Sequence, residues 1–169
     1  SKDNPSIQEL IKHHPLTIPN EKKKHVIEWL ADNHIDNFVA LSPNTTWLSK
    51  HWPMQHWQTL IETIATTIPT YSIMLIGETF GPQAQQLATW TRSNFPRVHI
   101  APAWDLLTTA QLLKQASLFV APDTGLLHLA DFLGTKTIAL FGPTSASKHG
   151  PFLHSSNQRY AQQATCSHF

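Results

Sequence analysis

The chain reads as an α/β protein, a parallel sheet with helices on both faces, and three observations predict it. Five short apolar segments with β-branched residues recur at 38–42, 72–76, 98–100, 118–121 and 137–141, the composition of strands buried on both faces. The stretches between them carry apolar residues at helical spacing. With 169 residues and 41% hydrophobic content, the chain is long and apolar enough for one substantial core.

The elements follow in order. A polar opening leads to residues 15–19, which read as a leftover strand, and to a helix over 21–34 with Val26, Ile27 and Leu30 on one face. After the strand at 38–42, a helix over 53–67 opens on Pro53 and lines up Trp57, Leu60, Ile61, Ile64 and Ile68. Trp52 and Trp57 fall where that helix must seat against the sheet, and both read as core. Helices over 83–94 and 106–115 follow the next two strands with shorter apolar stripes. The last, over 126–133, ends at Gly134, a C-terminal cap residue. This is a Rossmann-like βα repeat.

Composition excludes several classes. The net charge of +1 is thinly spread, and the one basic run, Lys22–Lys24, lies on a solvated helix, so nucleic acid is not an expected partner. A single cysteine, Cys166, forbids an internal disulfide and fits a reducing cytosol. No signal peptide or membrane-spanning run is visible.

Right-handed crossovers gather the strand-to-helix loops on the carboxyl edge of such a sheet, where ligands bind. Here those loops are 43–52, 77–82, 101–105, 122–125 and 142–148. The segment 121–143 is the most informative, because it packs a strand, a glycine turn, a helix start and a second strand into little more than the minimum length. Asp123 and Thr124 are N-cap residue types, and Gly125 permits close backbone approach. Exposed amides there, with the positive helix end, favour a phosphate by roughly 0.3–1 kcal/mol at exposed sites and about 2 kcal/mol in sheltered ones.

The ends suggest a piece of a larger protein. Residues 1–36 read as a connector and the remnant of a preceding N-terminal domain, and 37–169 as a Rossmann-like nucleotide-sugar-binding domain truncated at its C-terminus. Periodicity fades after Pro151.

Three ordered motifs carry a family resemblance. Thr45-Thr46-x-x-x-Lys50-His51-Trp52-Pro53, Asp123-Thr124-Gly125-Leu126-Leu127-His128-Leu129-Ala130 and Phe141-Gly142-Pro143-Thr144 together resemble the C-terminal half of the family-nine glycosyltransferases, the ADP-heptose:lipopolysaccharide heptosyltransferases. The resemblance runs from about Pro15 to Cys166. It implies one half of a GT-B architecture, the half that holds the nucleotide sugar.

Specific roles follow from that resemblance. Lys50 would contact the donor phosphates, with Thr45 and Thr46 adding hydroxyl donors; read on its own, Lys50 is equally a surface lysine beside a capping threonine. Thr124, Gly125 and Leu126 would offer backbone N–H groups to the pyrophosphate. Asp123 either caps the helix or accepts from sugar hydroxyls. His128, one turn in, leans back toward the helix start and would donate to a phosphate or sugar oxygen, against the plain reading of a packed or solvated histidine. Glu78 is placed to accept from a ribose diol, or is an exposed loop carboxylate. Trp104 would flank the adenine.

The implied reaction is inverting transfer of heptose from an ADP-sugar donor to the lipopolysaccharide core acceptor, in the cytoplasm, with peripheral attachment at the inner membrane as an option. The family's general base lies in the N-terminal domain, so no catalytic base is assigned in this chain, and the fragment alone is expected to be inactive. No Asp-x-Asp pair occurs, so metal-independent donor binding is expected and no cofactor is implied. The alternatives are a non-catalytic nucleotide-binding module and a GT-B enzyme using another nucleotide sugar.

Overall fold

The computed structural model describes residues 15–44, 51–77 and 82–141, and the backbone of Gln158–Gln162. Its elements are α1 (Asn20–Asp32), β1 (Phe38–Leu41), α2 (Met54–Thr67), β2 (Ser72–Leu75), α3 (Pro82–Asn94), β3 (Val98–Ile100), α4 (Leu106–Gln115), β4 (Leu118–Pro122), α5 (Gly125–Phe132), β5 (Thr137–Phe141) and β6 (Gln158–Gln162). All strand pairs are parallel, in the order β3-β2-β1-β4-β5-β6. The chain first builds outward from β1 to β3, then returns to the other side of β1. Strand order therefore reverses between β1 and β4.

Alternation along the strands divides the core into two layers. Phe38 and Ala40 of β1 face one layer with Met74, Phe119, Ala121 and Ala139, covered by α1, α4 and α5 through Val26, Leu30, Leu112, Leu113, Leu127 and Ala130. Val39 and Leu41 face the other with Ile73, Leu75, Val120 and Leu140, covered by α2 and α3 through Trp57, Ile61, Leu87 and Ala88. Both faces of the sheet are thus dry, which is why β1, β2 and β4 read as unbroken apolar runs. Trp57 is fully buried and meets the half-buried Trp52 edge-on at 5.0 Å, as the sequence predicts for both rings.

Gly134 closes α5 as expected. Its φ is 78°, and the paired bonds Thr135 N–H to Ala130 O and Gly134 N–H to Asp131 O, both 3.0 Å, form a Schellman motif.

Three expectations need correction. Residues 15–19 form no strand, for prolines at both ends lack the amides a ladder needs, although Ile18 is buried. Ile27, expected on the inner face of α1, is 53% exposed, and Ile68 falls past the end of α2 and lies at the surface. Helix α1 packs into the core through Val26 and Leu30. Beyond Pro151 the chain adds β6, whose register pairs Thr137 with Gln158 and Phe141 with Gln162.

Candidate functional site

At the reversal point, a cavity of about 710 Å³ opens over the carboxyl ends of the strands. The loops after β1 to β4 all contribute to it: Ser42 and Asn44 after β1, Ile76 and Gly77 after β2, Ala101 to Trp104 after β3, and Asp123 to Leu126 after β4. Leu106 and Thr109 of α4 and Leu129 of α5 complete the wall. The three strand steps from β4 across β1 and β2 to β3, at ~4.8 Å each, give the cavity a reach of ~14 Å. That is the scale of an extended nucleoside diphosphate.

The β4 end is the polar one. Leu127 and His128 make the first bonds of α5, to Thr124 O at 3.1 and 3.3 Å, so the amides of Gly125 and Leu126 have no intrahelical acceptor. Thr124 takes the N-cap position with extended backbone, but its side chain caps nothing, and its buried Oγ1 has no hydrogen-bond partner. Gly125 is the informative residue. Its φ is not in the positive range reached by Gly77 and Gly134, and a Cβ built on it meets nothing within 4 Å. Neither backbone strain nor protein packing requires glycine here, and the bare backbone leaves open space beside the helix start.

Asp123 is sheltered, with 13% of its side chain exposed, and its Oδ1 lies 3.1 Å from Nε2 of the half-exposed His128. An ionised Asp123 carboxylate can only accept, so it takes the Nε2–H of His128. His128 is not among the residues that line the cavity; its contact there is made through Asp123.

The β3 end is apolar, lined by Ala101, Pro102, Ala103 and Trp104. Trp104 lies in the wall, with its ring also engaged edge-on by Trp29 at 5.1 Å and His25 at 5.4 Å. The next residue, Asp105, caps α4 by accepting from Thr108 N–H at 3.0 Å and pairs with Lys22 Nζ at 2.5 Å. The Lys22 hydrogen bond and the Thr108 amide hold its carboxyl down to about 2.

Asn44 is a residue the sequence reading missed. Its amide donates to Gly77 O and accepts from Ala84 N–H at 3.3 Å, tying the loop after β1 to the loop after β2 and to the first turn of α3. Nothing in its sequence surroundings marks it, because its partners are far along the chain. Of the other expected site residues, Thr45, Thr46, Lys50 and Glu78 lie outside the described residues. Among the described residues, no cluster of His, Cys, Asp or Glu is arranged to hold a metal ion.

Residues 15–168 match the family model for glycosyltransferase family 9 (heptosyltransferase). The chain belongs to that family. Lipopolysaccharide heptosyltransferase 1 of Pseudomonas aeruginosa is 34% identical over 116 residues, covering 68% of this chain and 31% of its own length. The structure of the E. coli heptosyltransferase WaaC with ADP superposes with a TM-score of 0.67 at 26% identity, covering 91% of this chain and 48% of that one. E. coli ADP-heptose lps heptosyltransferase II shares the fold, with a TM-score of 0.73 at 21% identity over 89% of this chain and 46% of its own. This family 9 chain thus spans about a third of the curated relative and about half of each solved structure, and has their Rossmann-like parallel sheet.

Proposed function

We propose that this chain is the nucleotide-sugar-binding half of an inverting glycosyltransferase that moves heptose from ADP-heptose to the inner core of lipopolysaccharide. The carrying observation is the cavity at the β1/β4 reversal, walled by the bare backbone of Gly125 and the helix start whose first amides have no acceptor within α5. The similarity to a lipopolysaccharide heptosyltransferase and to a heptosyltransferase structure with ADP supports the choice of donor.

In this reading the amides of Gly125 and Leu126 hold the diphosphate, Asp123 accepts from sugar hydroxyls under the control of His128, and Trp104 lies beside the base. Lys50, Thr45 and Thr46 are assigned to the phosphates and Glu78 to the ribose, on the motif resemblance. As the glycosidic bond breaks, negative charge grows on the departing diphosphate. The helix start, fixed by the fold, stabilises that charge without reorganising, which lowers the barrier rather than tightening the ground state, and the resemblance adds the Lys50 ammonium group to it. The base for the acceptor hydroxyl is assigned to the other half of the architecture, and donor binding to a metal-free site. The domain division expected at residue 36 is moved back to include α1, since Val26 and Leu30 belong to the core.

Peripheral membrane attachment remains part of the proposal only through the acceptor; among the described residues no helix is long and apolar enough to cross a membrane. Calorimetric titration with ADP, UDP and GDP, each with and without chelator, tests donor class and metal independence together. ADP is expected to bind tightest, unaffected by chelator. Preference for UDP would overturn the heptosyltransferase assignment.

A further inference from the structure

Helix α1 does not line the cavity, yet Trp104 of the cavity's apolar wall and the adjacent Asp105 are each fastened to it by unrelated contacts. Trp104 packs edge-on against Trp29 and His25, and Asp105 pairs with Lys22. Lys22, His25 and Trp29 are spaced i, i+3 and i+7, so they form one stripe along the helix. The same Asp105 carboxylate accepts from Thr108 N–H and Oγ1 at 3.0 and 3.1 Å, which sets where α4 begins. Leu106 and Thr109 of that first turn also line the cavity. The other residues of the loop wall, Ala101, Pro102 and Ala103, are small, so the position of the Trp104 ring sets the width of the apolar end.

We infer that Lys22 and Trp29 are positioning residues for the nucleoside end of the cavity, acting through Asp105 and Trp104. The inference rests on the nucleotide-binding reading above. It separates the two ends of the ligand: the diphosphate sits on α5, which α1 does not fasten through this stripe, whereas the base sits on a wall that α1 holds. Loosening α1 therefore weakens recognition of the nucleoside and leaves recognition of the diphosphate intact.

The test is calorimetric titration of the whole chain and of Lys22→Met, Trp29→Ala and Trp29→Phe, each with ADP and with inorganic pyrophosphate. Lys22→Met is expected to weaken ADP about threefold, as suits a partly exposed ion pair, and Trp29→Ala about five- to tenfold, as suits a lost aromatic contact. Pyrophosphate affinity stays at the parent value, and Trp29→Phe recovers most of the ADP affinity. Should Trp29→Ala fail to fold, Lys22→Met carries the test alone. Equal ADP binding by parent and variants overturns the inference, as does an equal loss for ADP and pyrophosphate, which would report a smaller folded population. A parent that binds neither ligand overturns the nucleotide-binding reading instead, and the two failures are told apart by the parent titration.

Discussion

Nε2 of His128 stands 3.1 Å from Oδ1 of Asp123, so the imidazole reaches back over the first turn of α5 to hold a carboxylate at the cavity wall. The two residues are expected to act as one unit. Asp123→Asn and His128→Ala should each weaken ADP-heptose binding by about 1–2 kcal/mol, roughly ten-fold, and the double variant should cost little more than either alone. Calorimetry on the four proteins measures the coupling; additive losses would show that the contact carries no functional weight.

Gly125→Ala separates stability from binding. Because an added Cβ meets no protein atom, the folded state tolerates it, and the alanine should raise stability by about 0.4–1 kcal/mol through the unfolded chain. The methyl group would stand where the diphosphate approaches, so ADP affinity should fall. A denaturant melt and an ADP titration on one preparation check both halves, and unchanged affinity would remove the close-approach argument.

Gly134→Ala is the opposite case. At a φ of 78° an L side chain is strained, so the substitution should cost about 1 kcal/mol or more of stability. Under conditions where the variant is folded, ADP affinity should match the parent. The midpoint of urea unfolding reports the first effect and titration the second.

The Lys22–Asp105 pair predicts a pH window. Asp105 titrates at about 2 in the folded chain against 3.8 ordinarily, a lowered acid, so its stabilising contribution is complete above about 3.8 and is lost as pH falls toward about 2. The difference in melting temperature between parent and Asp105→Asn should be constant from neutral pH to about 4 and shrink below it. A difference that persists unchanged at the acid end would assign the effect to packing.

The four inner strands β1, β2, β4 and β5 were legible because both faces of the sheet are covered there and their residues are mainly apolar, a pattern that survives without knowing any partner; β3, at the edge and half-buried, carries it over only Val98–Ile100. β6 was not: the segment Gln158–Gln162 reads QRYAQ, and it joins the sheet through its backbone ladder with β5. The cradle at Thr124–Leu126 was legible because strand, glycine and helix start are contiguous. Asn44, bonded to Gly77 and Ala84, and Lys22, bonded to Asp105, were invisible for the converse reason, since each partner is distant in sequence and only the sheet order brings them together. The contact between His128 and Asp123 was likewise not singled out from the sequence, although the two lie only five residues apart.

The central place of β1 has a consequence for biosynthesis. Of its two neighbours, β2 follows within about thirty residues, but β4 comes only after two further helices and β3. Until then one apolar edge of β1 has no ladder partner, and the nascent polypeptide presents an open strand of the kind that invites mispairing. Closure of the sheet on both sides of β1 therefore waits for β4, and the open edge of β1 must be kept from foreign strands over the whole of that interval.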